Sequence, residues 1–246
     1  MKIERRDFLK SSLAGAAGAL LAGGCGNSRP RTTCNRRIGD AHAGGVHSLA
    51  VDPSGTLLVS GGADALTKLW HVPDGALLGT LTGHSQGVIS LAISPNGTRL
   101  ASGGSDSMVK LWSLPDGALL ATLAGHTLPV AGVAFTPDDL LVASGSADGT
   151  IKLWNVADGS LLATLAGHTL GVTDVAVSPD GTFLVSSSQD QTMNLWSLPA
   201  GALLNTIPTN AGWVNAMAFG QDGTRLVTGG SNDGDAVVLW SLPAFV

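Results

Sequence analysis

The dipeptide Leu-Trp returns five times, ending at Trp70, Trp112, Trp154, Trp196 and Trp240, at intervals of 42, 42, 42 and 44 residues. The same interval carries a histidine (His42, His84, His126, His168), a hydroxyl (Ser60, Ser102, Ser144, Ser186, Thr228) and a turn aspartate (Asp64, Asp106, Asp148, Asp190). A unit this short cannot enclose a core of its own. Neighbouring units must cover one another's apolar faces, which restricts the fold to a stacked array or a ring.

Within the third unit, "VAGVAFT", "LLVASGS", "TIKLWNV" and "SLLATLA" are short runs rich in apolar residues, separated by "TPDD", "ADG" and "ADG". Runs of this length bounded by Gly, Pro and Asp predict four strands per unit joined by tight turns. Their apolar character on both faces predicts sheets covered on both sides by their neighbours. The composition agrees with an all-β fold: 44% of the 246 residues are hydrophobic, 34 are glycine, and only 13% are charged.

Ser, His and Asp are also the residue types of a hydrolase triad. Four such sets in one small domain argue instead for one polar staple per unit. The pattern of Gly-His followed by a strand ending in Trp resembles the WD40 repeat family. The resemblance spans residues 42–246 and implies a β-propeller of about five four-stranded blades, with units near 42–83, 84–125, 126–167, 168–209 and 210–246. It also implies that His, Ser or Thr, turn Asp and Trp form a hydrogen-bonded chain in each blade. The residues carried over are His42, Ser60, Asp64 and Trp70, His84, Ser102, Asp106 and Trp112, His126, Ser144, Asp148 and Trp154, and His168, Ser186, Asp190 and Trp196. In the fifth unit Thr228 and Trp240 fit, Asn210 replaces His, and Asp233 or Asp235 stands at the turn. One departure from the family is that His71, Ser113, Asn155, Ser197 or Ser241, never Asp, follows the Trp.

In that family partners dock where loops lead into the inner strands. By resemblance Leu128, Pro129, Leu170 and Trp213 form an uncharged apolar rim for a protein partner, and Trp is enriched at binding hot spots. Lys68, Lys110 and Lys152 recur on the third strand and are expected to be solvated or paired, while His47 and His71 are expected at the surface. No Cys/His cluster suggests a metal, and no cofactor is expected.

The first residues have a different character. "RRDFLK", Arg5 to Lys10, stands before a weakly apolar Gly/Ala-rich run of 14 residues and resembles a bacterial twin-arginine export signal. Residues 1–25 are read as that signal, 26–37 as a linker and 38–246 as the propeller. "LLAGGCG" resembles a lipoprotein processing box, although Ala22 occupies the place of the usual Leu, and makes Cys25 the candidate lipid anchor to a membrane. Lipidation leaves Cys34 a lone thiol; cleavage upstream without lipidation leaves two cysteines able to pair in an oxidising compartment.

Residues beyond 37 carry 5 basic and 16 acidic side chains, a net of −11, which repels phosphate backbones and excludes nucleic-acid binding by the body. The leading functional expectation is a non-catalytic exported scaffold. An enzyme or ligand-binding propeller would need unique polar groups in the axial channel, where Asp174, Asn215 and His47 are the candidates. The near-identical units also allow a shortened remnant of a longer propeller. Five units are expected to close the ring, with residues 34–39 supplying the outer strand of the last blade.

Overall fold

The computed structural model describes residues 10–11, 38–39, 41–209, 212–231 and 237–241. Among them there is no helix, and the strands form five sheets. A two-residue strand, β1 (Lys10–Ser11), pairs in parallel with Ser48 and Leu49. The first blade is then β2 (Val46–Val51), β3 (Leu57–Gly62), β4 (Thr67–His71) and β5 (Leu77–Leu81). The second is β6 (Val88–Ile93), β7 (Arg99–Gly104), β8 (Val109–Ser113) and β9 (Leu119–Leu123). The third is β10 (Val130–Phe135), β11 (Leu141–Ser146), β12 (Thr150–Asn155) and β13 (Leu161–Ala166), each within a residue or so of the run predicted for it. β14 (Val172–Val177), β15 (Phe183–Ser188), β16 (Thr192–Ser197) and β17 (Leu203–Pro208) make the fourth, and β18 (Trp213–Phe219), β19 (Arg225–Ser231) and β20 (Val237–Ser241) the fifth. Within every blade successive strands pair antiparallel.

The turn between the first two strands shows how the sequence sets this meander. Gly55, Gly97, Gly181 and Gly223 adopt positive φ at equivalent places, while the third unit puts Asp139 there at φ 61°. Each inner strand also carries a bulge against its partner, as between Val130 and Gly132, which adds local twist.

The core lies between blades rather than within them. One cluster joins Val109, Leu111 and Leu123 of the second blade to Val130, Val133 and Val142 of the third, and three others join the first to the second, the third to the fourth and the fourth to the fifth. The inner strands β2, β6, β10, β14 and β18 accordingly pack side by side in that order.

One expectation is corrected. The outer strands are not covered on both faces. Their leading leucine pairs, Leu77–Leu78, Leu119–Leu120, Leu161–Leu162 and Leu203–Leu204, are exposed, and only a later residue such as Leu123 or Leu165 turns inward. Of the expected ring closure, no substantial packing joins β18 to β2 among the described residues. Residues 34–37 of the expected clasp lie outside the described residues. Ile38 and Gly39 are in no strand, and no described strand pairs with the outer edge of β20.

Candidate functional site

Register brings the repeated polar residues together. On β11 and β12, Ser144 stands opposite Lys152 and Val142 opposite Trp154. Residues two apart on a strand share a face, so Ser144 and Trp154 are diagonal neighbours on one side of the sheet. Trp154 Nε1–H donates to Ser144 Oγ at 2.8 Å. His126 comes from the loop before β10, with Nε2 2.9 Å from Ser144 Oγ and Nδ1 2.9 Å from Asp148 Oδ2. The indole has only a donor, so the serine oxygen accepts from it and directs its own hydrogen to His126 Nε2. That leaves the imidazole proton on Nδ1, where it donates to Asp148. Asp148 also accepts from the backbone N–H of Thr127 and from both the N–H and the hydroxyl of Thr150.

The same chain is built in the other units. Trp70, Ser60, His42 and Asp64 are joined by contacts of 2.8 Å at every step. Trp112, Ser102, His84 and Asp106 are joined at 2.8–2.9 Å, and Trp196, Ser186, His168 and Asp190 at 2.8–3.0 Å. All four imidazoles are at most 1% exposed. In the fifth blade Trp240 Nε1–H donates to Thr228 Oγ1 at 2.9 Å, while Asn210, Asp233 and Asp235 lie outside the described residues. The glycine before the histidine has a steric reason: a Cβ at Gly83, Gly125 or Gly167 would lie 2.9–3.1 Å from the ring of Trp112, Trp154 or Trp196.

Burial holds His84, His126 and His168 below the ordinary imidazole value, against the opposing pull of their aspartates, so they are neutral. Burial resists ionisation of Asp148, but the hydrogen bonds from Thr150, Thr127 and His126 outweigh it and lower its carboxyl to about 2. Of the two states expected for the third-strand lysines, solvated or paired, the structure shows the paired one. Lys110 and Lys152 are buried and donate to Thr122 and Thr164 at 2.8 and 2.9 Å, and Lys68 donates to the carbonyl of Ala41. His47 is exposed, and His71 bonds Asp74 at the surface.

Leu128 and Leu170 are exposed at equivalent places in adjacent blades, Trp213 is exposed at the start of β18, and Pro129 is half-buried. The loops of Leu128 and Leu170 are tied to the sheet: the hydroxyls of Ser146 and Ser188 donate to their carbonyls at 2.8 and 3.1 Å. Between the inner strands lies a cavity of about 570 Å³. Its lining is mainly apolar and, among the described residues, Asp174 is its one charged side chain. Asp174 accepts from the N–H groups of Val175 and Met217 at 3.0 and 2.9 Å, which ties the fourth blade to the fifth. His47 and Asn215 do not line this cavity. Among the described residues, no three His, Cys, Asp or Glu side chains converge as a metal site requires. Cys25 and Cys34 lie outside the described residues.

A family model described as "WD domain, G-beta repeat" matches residues 32–71, 75–113, 117–155, 159–197 and 201–240. Each match from the second onward joins the outer strand of one blade to the three inner strands of the next. A second, described as "TAT (twin-arginine translocation) pathway signal sequence", matches residues 2–22. No curated protein matches the chain.

Proposed function

The chain belongs to the WD40 repeat family and carries a signal for export across the cytoplasmic membrane, and from that premise we propose that it is a non-catalytic scaffold that binds protein partners in the envelope. The observation that carries this reading is the state of the serines. Each of Ser60, Ser102, Ser144 and Ser186 is at most 2% exposed, and its oxygen already accepts an indole N–H. A nucleophile needs access to a substrate carbonyl and a free line of attack, and these oxygens have neither. Their roles are structural: a fully paired polar chain fixes the loop before each inner strand to the turn after the second strand.

The rim at Leu128, Pro129, Leu170 and Trp213 is the proposed docking surface. It is uncharged, apolar and exposed at three of its four residues, and the loops of Leu128 and Leu170 are pinned, which reduces the ordering required on binding. Cys25 is the proposed lipid attachment point, holding the scaffold at a membrane surface.

The test is cross-linking in envelopes of cells expressing the full chain, beside a variant carrying Leu128→Asp, Leu170→Asp and Trp213→Ala. The reading expects a defined partner adduct that the triple variant loses. The same adduct in equal yield from the variant contradicts rim docking. A second reading, a carrier of an apolar small molecule, is favoured by the 570 Å³ cavity alone. Native mass spectrometry showing a retained small molecule, with no protein adduct in the envelope, would select it.

A further inference from the structure

The contact between consecutive blades is one interface repeated along the chain. A glycine on the second strand of one blade receives the inner strand of the next. A Cβ on Gly61 would lie 2.7 Å from Val88, one on Gly103 2.7 Å from Val130, and one on Gly145 2.5 Å from Val172. Beside it, the third strand presents two apolar side chains to the same neighbour. Val109 and Leu111, Ile151 and Leu153, and Met193 and Leu195 are all 0–2% exposed. Hydrogen bonds cross the seam as well: Ser48 Oγ accepts from Leu91 N–H and Ser90 Oγ from Val133 N–H, each at 3.1 Å.

The two ends of the row hold the two halves of this interface unjoined. On the fifth blade the equivalent glycine is Gly229, and among the described residues a Cβ there would meet nothing within 4 Å. The equivalent side chains, Val237 and Leu239, are 67% and 65% exposed. On the first blade Val46 and Leu49 stand where Val88 and Leu91 stand on the second, but are only half-buried. Among the described residues β18 and β2 are not substantially packed together. Each open face is thus the complement of the other, with three copies of the glycine joint in between and Ser187 at the glycine's place in the fourth.

We propose that the open face of the fifth blade takes up the first blade of a second copy of this chain. The occupant is a second copy because the surface required is the one the chain carries at its other end: Val46 enters the space over Gly229 as Val88 does over Gly61, and Leu49 covers Val237 and Leu239. β1 runs along β2 at Ser48 and Leu49, and the incoming copy displaces it. The two faces differ, so the contact is heterologous, and each added copy presents a new open fifth blade. Assembly therefore proceeds beyond a face-to-face pair, into a larger ring or a chain of copies.

The experiment measures mass by light scattering during size-exclusion chromatography, over a range of concentrations. It uses the full chain, a Leu239→Lys variant and a Val46→Lys variant. Neither residue is buried, and circular dichroism checks that each variant keeps the parent's sheet content. The parent is expected to reach at least twice the chain mass, rising with concentration, and each variant to stay monomeric. Mixing the variants gives the decisive result. Leu239→Lys keeps its first-blade face and Val46→Lys its fifth-blade face, so the mixture forms a one-to-one pair and nothing larger. A parent that stays monomeric throughout overturns the proposal. So do oligomers lost in Leu239→Lys but kept in Val46→Lys, which mean that fifth blades pair with each other, and oligomers that survive both substitutions, which mean pairing through the free edge of β20.

Discussion

The indole N–H of Trp154 donates to Ser144 Oγ across 2.8 Å, and that bond commits the serine to the sheet rather than to a substrate. Removing one member of the chain leaves its neighbours buried without partners. His126→Ala is expected to cost about 1–3 kcal/mol, read as a lowered midpoint of urea unfolding. Trp154→Phe removes the donor and should fall in the same range, with further loss from repacking. An unchanged midpoint for both would mean that the network contributes nothing to stability.

The first blade carries an opportunity that the others do not. Thr67 is 1% exposed and its Oγ1 has no hydrogen-bond partner, whereas Val109, Ile151 and Met193 fill the equivalent place in blades two to four. Thr67→Val removes an unpaired buried hydroxyl at nearly constant volume. It is expected to stabilise the protein by about 1 kcal/mol, checked by thermal and urea unfolding.

Ala65, Ser107 and Gln191 hold φ near 65° in the turn where the third unit has Gly149. A Cβ in the left-handed region crowds the following carbonyl. Ala65→Gly is therefore expected to stabilise by about 0.5–1 kcal/mol and Gly149→Ala to destabilise by at least as much. Equilibrium unfolding of the two variants, measured side by side, checks both signs.

Much of this was legible because the repeat interval fixes register. Once Ser144 and Trp154 are ten residues apart across a tight turn, they fall diagonally on one sheet face, and the same argument places every blade's set. The interval says nothing about the angle between blades. Five copies of one blade are compatible with a ring or with an open row, and the sequence does not show the space that the described residues leave over Gly229. For Lys110 and Lys152 the sequence left open whether the charge is solvated or paired. Their burial depends on Thr122 and Thr164 of the outer strand, a pairing visible only with the strands in place. The exposed leucine pairs such as Leu119–Leu120 were hidden for the opposite reason. An apolar pair reads as core until its exposure on the outer strand is seen.

Protonation should unfold the protein in two stages. Burial holds His84, His126 and His168 below the ordinary value of 6.5, so the unfolded chain takes up protons there that the folded one refuses. Stability is full above that value and falls as pH drops through it. Asp64, Asp106, Asp148 and Asp190 are all held below the ordinary 3.8, Asp148 at about 2. Their contribution is present above 3.8 and is lost as pH falls toward about 2. Urea midpoints measured across this range are expected to step down below each value. A midpoint constant between about pH 7 and about pH 5 contradicts the buried neutral histidines.

The most direct test of a structural role for the His–Ser–Asp sets is the intact mass of the full chain after exposure to a fluorophosphonate, which captures activated serines. The account predicts an unmodified mass, because Ser60, Ser102, Ser144 and Ser186 are buried and already bonded to an indole. A single stoichiometric adduct, lost on replacing one of these four serines with alanine, would contradict it and make that blade an active site.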